Sequence, residues 1–144
     1  MLSNHRSVIR ELLSYIVDNG VQELDNLQYI HVGDRFPDTI IGIGAGMALS
    51  QQGFRWDKPI LIMCTLPEDP AVTKVSMRTH DRVVARGVDL QDALSTASQE
   101  VGGAGGGHRI AAGAFIPQAA EEVFVRRVNE ILTTQYARTG QGHC

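Results

Sequence analysis

Residues Val101 to Ala114 read VGGAGGGHRIAAGA, with five glycines in the seven positions before His108 and Arg109. As a flexible linker, such a run would separate two folded units. Here a helical pattern that Asp89 can cap, with Leu90, Leu94 and Ala97 on one stripe, ends directly before it. A small-residue apolar segment, Ile110 to Ile116, follows at once and can form a strand, and the chain left downstream is too short for a second core. The glycines therefore lie inside one domain. There, successive glycines can take positive φ and turn consecutive backbone N–H groups toward one point, making an anion-binding loop with no side chains in the way. His108 and Arg109 would stand at its rim.

Two familiar phosphate motifs do not fit. A Walker-type loop needs Lys and then Ser or Thr where this chain has His108 and Arg109. Gly42-Ile43-Gly44-Ala45-Gly46-Met47 begins like a dinucleotide fingerprint, but Met47 takes the third glycine's place and Pro37-Asp38 precede it where a strand should run. Close packing of another element against a glycine-bearing helix over Asp38 to Gln51 accounts better for that stretch. Lys74-Val75-Ser76-Met77-Arg78 is more informative. In a strand, alternation sends Lys74, Ser76 and Arg78 to one face and Val75 and Met77 to the other. The polar face reads equally well as a site or as an ordinary solvated sheet face, and Arg82 and Arg86, four apart on the next helical segment, extend the positive charge on the same terms.

Outward from these stretches, Ser3 to Asp18 places Val8, Leu12, Leu13, Ile16 and Val17 on a helical stripe, with Gly20 as C-cap. Tyr29, Ile30 and Val32 favour a strand. Pro59 to Leu66 is almost continuously apolar, as in a strand buried on both faces, and Val72 to Thr79 alternates. Pro117 opens a last helix with Val123, Phe124, Val128, Ile131 and Leu132 as its buried stripe. The expected fold is α/β: a mixed β-sheet of about four to five strands with helices packed on it and a glycine-rich phosphate-binding loop.

Composition closes off several classes of function. A chain of 144 residues with 43% hydrophobic content supports one domain. The net charge of −3 argues against a wholly basic nucleic-acid coat, yet of 13 cationic side chains only Lys58 and Lys74 are lysines. Arginine's planar fork suits bidentate phosphate contacts. There is no run of apolar residues long enough to span a bilayer and no signal-peptide core, so the expectation is a soluble, cytoplasmic chain with no membrane partner. Cys64, inside an apolar run, and Cys144 form no disulfide framework, and Cys64 reads as an inert hydrophobe. His5, His31, His80, His108 and His143 are scattered without a metal-ligand pattern, so no metal is expected on this chain. No nucleophile elbow or Cys–His pair is evident.

The stretch GGAGGGHRIAAGA resembles the GGGH…AAG signature of the DHH-associated C-terminal domain in DHH phosphoesterases. KVSMR resembles the strand before that signature, and DTIIGIGAGMAL is similar to a helix near the start of that domain. The likeness is nearest to the archaeal RecJ-like single-strand-specific exonucleases. It implies two lobes facing across a cleft, one with an Asp-His-His motif and manganese, the other holding substrate phosphate and nucleoside groups. On that view residues 1–22 are a connector helix from a catalytic lobe, 23–137 the substrate-binding domain and 138–144 a flexible tail. Ser76, Arg78, Gly105, Gly106, Gly107 and His108 would hold phosphate, supported by Lys74, Arg109, Ala111, Ala112 and Gly113. The implied partners are single-stranded DNA or RNA or short oligonucleotides, the Asp-His-His lobe, and replication or repair proteins. No Asp-His-His occurs here, so no catalytic residue is assigned, the manganese would belong to the other lobe and this chain by itself is expected to be inactive. Three alternatives stay open: an accessory binding domain like that of alanyl-tRNA synthetases, which lack the His-Arg-Ile-Ala-Ala-Gly continuation, an oligonucleotide or cyclic-dinucleotide phosphodiesterase lobe, and a regulatory domain holding a small anion.

Overall fold

The apolar run Ile60–Leu66 (β3) and the alternating run Asp69–Arg78 (β4) form an antiparallel hairpin, and Ala111–Pro117 (β6) pairs antiparallel with the far side of β4. Gln28–His31 (β2) runs parallel to β3, with Gln22–Glu23 (β1) antiparallel outside it. Ala104–Gly107 (β5) pairs antiparallel with β6 and closes the other end, giving a six-stranded mixed sheet in the order β1-β2-β3-β4-β6-β5. These elements come from a computed structural model that describes residues 2–51 and 55–142. The mixed sheet and its helices match the expected class, with more strands than the expected four to five. The short β1 and the glycine strand β5 lack the β-branched or aromatic residues by which strands are recognised.

Alternation along β3 divides the core. Ile60, Ile62 and Cys64 pack with Leu12 and Ile16 of the helix Leu2–Asn19 (α1) and with Ile41, Ala45 and Ala48 of the helix Ile41–Ala48 (α2), which a 3-10 turn over Asp38–Ile40 introduces. Leu61 and Met63 face the other way. They join Leu90, Leu94 and Ala97 of Leu90–Glu100 (α4, preceded by a short α3, Asp81–Ala85) and Phe124, Val128 and Leu132 of Glu121–Gly142 (α5). β3 is therefore buried on both sides, as its composition predicts. Asp89 caps α4 as expected, its carboxylate accepting from Asp92 N–H at 3.1 Å.

Several local expectations change. Gly20 ends α1 at φ +75, but Val17 is 62% exposed and Ile9 takes its place in the core; Val123 is likewise 63% exposed. The α1 stripe packs into the same core as the sheet, so whatever else residues 1–22 connect to, they are part of this fold. Helix α5 runs to Gly142 through most of the stretch expected to be a flexible tail, while His143 and Cys144 lie outside the described residues. No helix among the described residues is long and apolar enough to cross a membrane.

Candidate functional site

The register of the last three strands decides which of the singled-out residues meet. Ser76 pairs with Gly113, and Gly113 with Gly106; Lys74 pairs with Phe115, and Phe115 with Ala104. Arg78 pairs with Ala111, which exchanges both backbone bonds with His108, at 2.7 and 3.3 Å. Directly opposed residues share a face. Three rows thus cross the sheet on the α2 side: Arg78–Ala111–His108, Ser76–Gly113–Gly106 and Lys74–Phe115–Ala104. Strands two apart lie about 10 Å from one another. Arg78 and His108 consequently flank a trough floored by alanine and glycine.

Helix α2 forms the near wall, and its glycines allow the approach. A Cβ on Gly42 would sit 3.4 Å from both Ser76 Oγ and Arg78 Nη2, and one on Gly44 would collide with Leu12 Cδ2 at 2.3 Å. Close helix packing, not a dinucleotide turn, is the role of these glycines. Beyond α2 the trough is open: Phe115 is 49% exposed, and nothing lies within 4 Å of where a Gly106 Cβ would be. Lys74 Nζ is held by Asp38, at 3.1 Å from its carbonyl oxygen and 3.3 Å from its carboxylate. Arg78 forms no ion pair among the described residues, and its guanidinium is the free cation of this face.

The glycine stretch is not the loop expected from its composition. Gly105, Gly106 and Gly107 lie in β5, and of the stretch only Gly102 and Gly107 have positive φ, +84 and +140. Gly105, Gly107 and Ala112 belong to the α4 side of the sheet, opposite the trough: a Cβ on Gly105 would come within 2.9 Å of Ser98 Oγ, and Ala112 is in the core. What Gly105 and Gly107 can offer is backbone. Since His108 and Ala111 exchange both bonds, ladder alternation leaves the N–H groups of Gly105 and Gly107 pointing to the unpaired edge of β5. Arg109 sits in the two-residue turn after His108 and leans on Asp89, 3.6 Å away, while its carbonyl accepts from Leu90 N–H. It braces the turn against α4.

Elsewhere, His31 is tied structurally: Gly33 N–H donates to Nδ1, and Nε2 meets the Glu121 carboxylate at 2.9 Å, which also accepts from Thr73 Oγ1. This joins β2, β4 and α5. Burial pushes the Cys64 thiol up to about 11, with Asp38 adding to the shift, as suits a thiol packed as a hydrophobe. Among the described residues no group of three or more His, Cys, Asp or Glu could hold a metal ion. The manganese that the resemblance assigns to an Asp-His-His lobe would find no donor set among the described residues of this chain.

The family model of the DHHA1 domain matches residues 25–134. The chain belongs to the DHHA1 domain family. The chain is 30% identical over 129 residues to an uncharacterised protein of Methanocaldococcus jannaschii, a match covering 90% of this chain and 27% of that relative. The chain thus spans about a quarter of its curated relative. The fold is similar to RecJ from Thermus thermophilus in complex with Mn2+, with a TM-score of 0.67 at 17% identity, covering 92% of this chain and 17% of RecJ. It is also similar to the C-Ala domain of alanyl-tRNA synthetase from Aquifex aeolicus, with a TM-score of 0.55 at 12% identity over 81% of this chain and 98% of that domain. A similar fold therefore occurs both inside RecJ and in the C-Ala domain of a synthetase, and the likeness at these identities concerns fold.

Two features of the site had no signal in the sequence. The edge N–H groups follow from strand register, which composition does not encode. Trp56, from the segment before β3, stands beside His80 with ring centres 5.1 Å apart, a contact between residues 24 apart in the chain.

Proposed function

We propose that this chain is the substrate-holding lobe of a manganese-dependent DHH phosphoesterase acting on single-stranded nucleic acid, in the manner of a RecJ-like exonuclease, and that the trough binds a strand phosphate. The observation that carries the reading is the row Arg78–Ala111–His108: an unpaired guanidinium and an imidazole on either side of a floor with almost no side chains. Ser76 adds a hydroxyl, and Gly106 and Gly113 let the phosphate approach the sheet. Arg78 would supply the bidentate contact that a planar fork favours. Lys74 is partly neutralised by Asp38 and contributes less. Gly105, Gly107 and Ala112 enter as backbone and packing, and Arg109 as a brace. The metal site and the bond-breaking chemistry belong, in this reading, to an Asp-His-His lobe outside these residues.

The test is fluorescence anisotropy of a short labelled single strand with the 144-residue chain across a salt series. Binding should weaken with a slope of about −0.7 per phosphate engaged. Arg78→Ala should weaken it about tenfold, and Arg78→Lys should restore only part, since charge returns without the fork. No manganese-dependent cleavage is expected from the chain alone. Salt-independent binding, or full affinity in Arg78→Ala, would remove the phosphate reading.

A further inference from the structure

At the Arg78 end of the trough a pocket of about 650 Å3 opens between the C-terminal end of α2, the segment before β3 and the start of α3. Arg78 lines both spaces, but the pocket differs in kind. Leu49 and Ile110 give it apolar walls, and Trp56 contributes an indole left 37% exposed. The His80 ring is tilted against that indole by 60°, and the guanidinium carbons of Arg82 and Arg86 lie 5.8 and 6.0 Å from its ring centre. Neither Arg82 nor Arg86 forms an ion pair among the described residues. Thr79, also in the pocket wall, is 4% exposed, and its hydroxyl has no hydrogen-bond partner. Native structures rarely leave a buried hydroxyl unsatisfied without a reason.

We propose that this pocket receives a nucleobase, stacked on Trp56, of the nucleotide whose phosphate lies at Arg78. The inference rests on the phosphate reading of the trough and adds the recognition of a flat ring beside it. An exposed indole set among unpaired arginines suits a planar group carried on a polyanion: the ring stacks, and the guanidinium groups answer the phosphates on either side. Because every base offers a π-face, the pocket would select for the presence of a base more than for its identity. Arg78 lines the pocket as well as the trough, so the base and the phosphate assigned to the two spaces belong to one nucleotide in this proposal.

Trp56 is the sole tryptophan of the chain, so its fluorescence reports on this pocket alone. The chain is titrated with 5′-phosphorylated dithymidylate and with the matching abasic sugar-phosphate. The base-bearing ligand should quench the fluorescence and bind about tenfold more tightly, while the abasic one leaves the emission unchanged. By calorimetry, Trp56→Ala should erase that preference and Trp56→Phe should keep most of it. If Trp56→Ala still prefers the base-bearing ligand, or if the abasic ligand quenches equally, the base pocket is overturned while the phosphate site stands. If Arg78→Ala binds both ligands as the unaltered chain does, the phosphate reading has failed and the pocket falls with it.

Discussion

On the α4 side of the glycine strand, a methyl at Gly105 would come within 2.9 Å of Ser98 Oγ and Ala114 Cβ, and one at Gly103, just before β5, within 2.2 Å of the Phe115 carbonyl. On the α2 side, a methyl at Gly106 would meet nothing within 4 Å. Neighbouring glycines in one short strand thus answer to different demands. Gly105 lets α4 and β6 lie close and Gly103 lets the chain pass against the β6 backbone, and both are packing requirements. The one facing the trough is not required by packing at all. Packing leaves room for a side chain at Gly106, so under the proposed phosphate site the open space there is the space a ligand would use.

The comparison can be broken at each face. The largest loss is expected for Gly103→Ala, whose methyl would strike backbone that cannot rotate away; a cost at the upper end of overpacking, about 3 kcal/mol, should lower Tm by roughly 10 °C. Gly105→Ala meets the Ser98 hydroxyl, which can rotate away, but also the Ala114 Cβ at 2.9 Å and the Gly113 carbonyl at 3.0 Å, which move only with the β6 backbone, so about 2 kcal/mol is expected, read by the same thermal melt. Gly106→Ala should leave stability within about 0.5 kcal/mol yet weaken single-strand binding about tenfold. If Gly106→Ala binds normally, the open face is not the ligand face, and the contrast between the two sides loses its functional meaning.

How far the sequence exposed all this depends on what was periodic. β3 and the helices α4 and α5 announce themselves by apolar spacing, and Asp89 by its capping chemistry. Ser76, Arg78 and His108 were marked by strand alternation and by resemblance, and the register brings them to one face. The glycine stretch reads as a loop because glycine is disfavoured in helix and strand alike; β5 exists only because β6 and α4 hold it. For the same reason its residues split between two faces in a way that composition could not show. Trp56 carries no signal of this kind, because its partners come from beyond β4 and pairings across that distance have no local pattern.

A smaller effect sharpens the contrast between covered and open halves of the α2-side face. Cys64 lies under α1 and α2, fully buried, with its thiol pushed up by burial to about 11. The raised value means that this group's contribution to stability is complete below the ordinary thiol range and fades as pH climbs through about 11. Peptide-mapped alkylation at pH 8 should leave Cys64 unmodified in the native chain and modify it fully in denaturant. Rapid native labelling would mean that the covered half opens as readily as the trough.

The ends of the sheet bear on how such a domain can be carried within other proteins. A sheet that stops leaves a row of backbone groups able to recruit a stray strand, and hence to seed fibres. Here one end is β1, only two residues long, and the other is Ala104–Gly107, with almost no side chains for an incoming strand to interlock with. A guest strand would gain hydrogen bonds at either border but scarcely any cross-strand grip. The same run of glycine that bares the trough also makes the domain a poor template for its own aggregation.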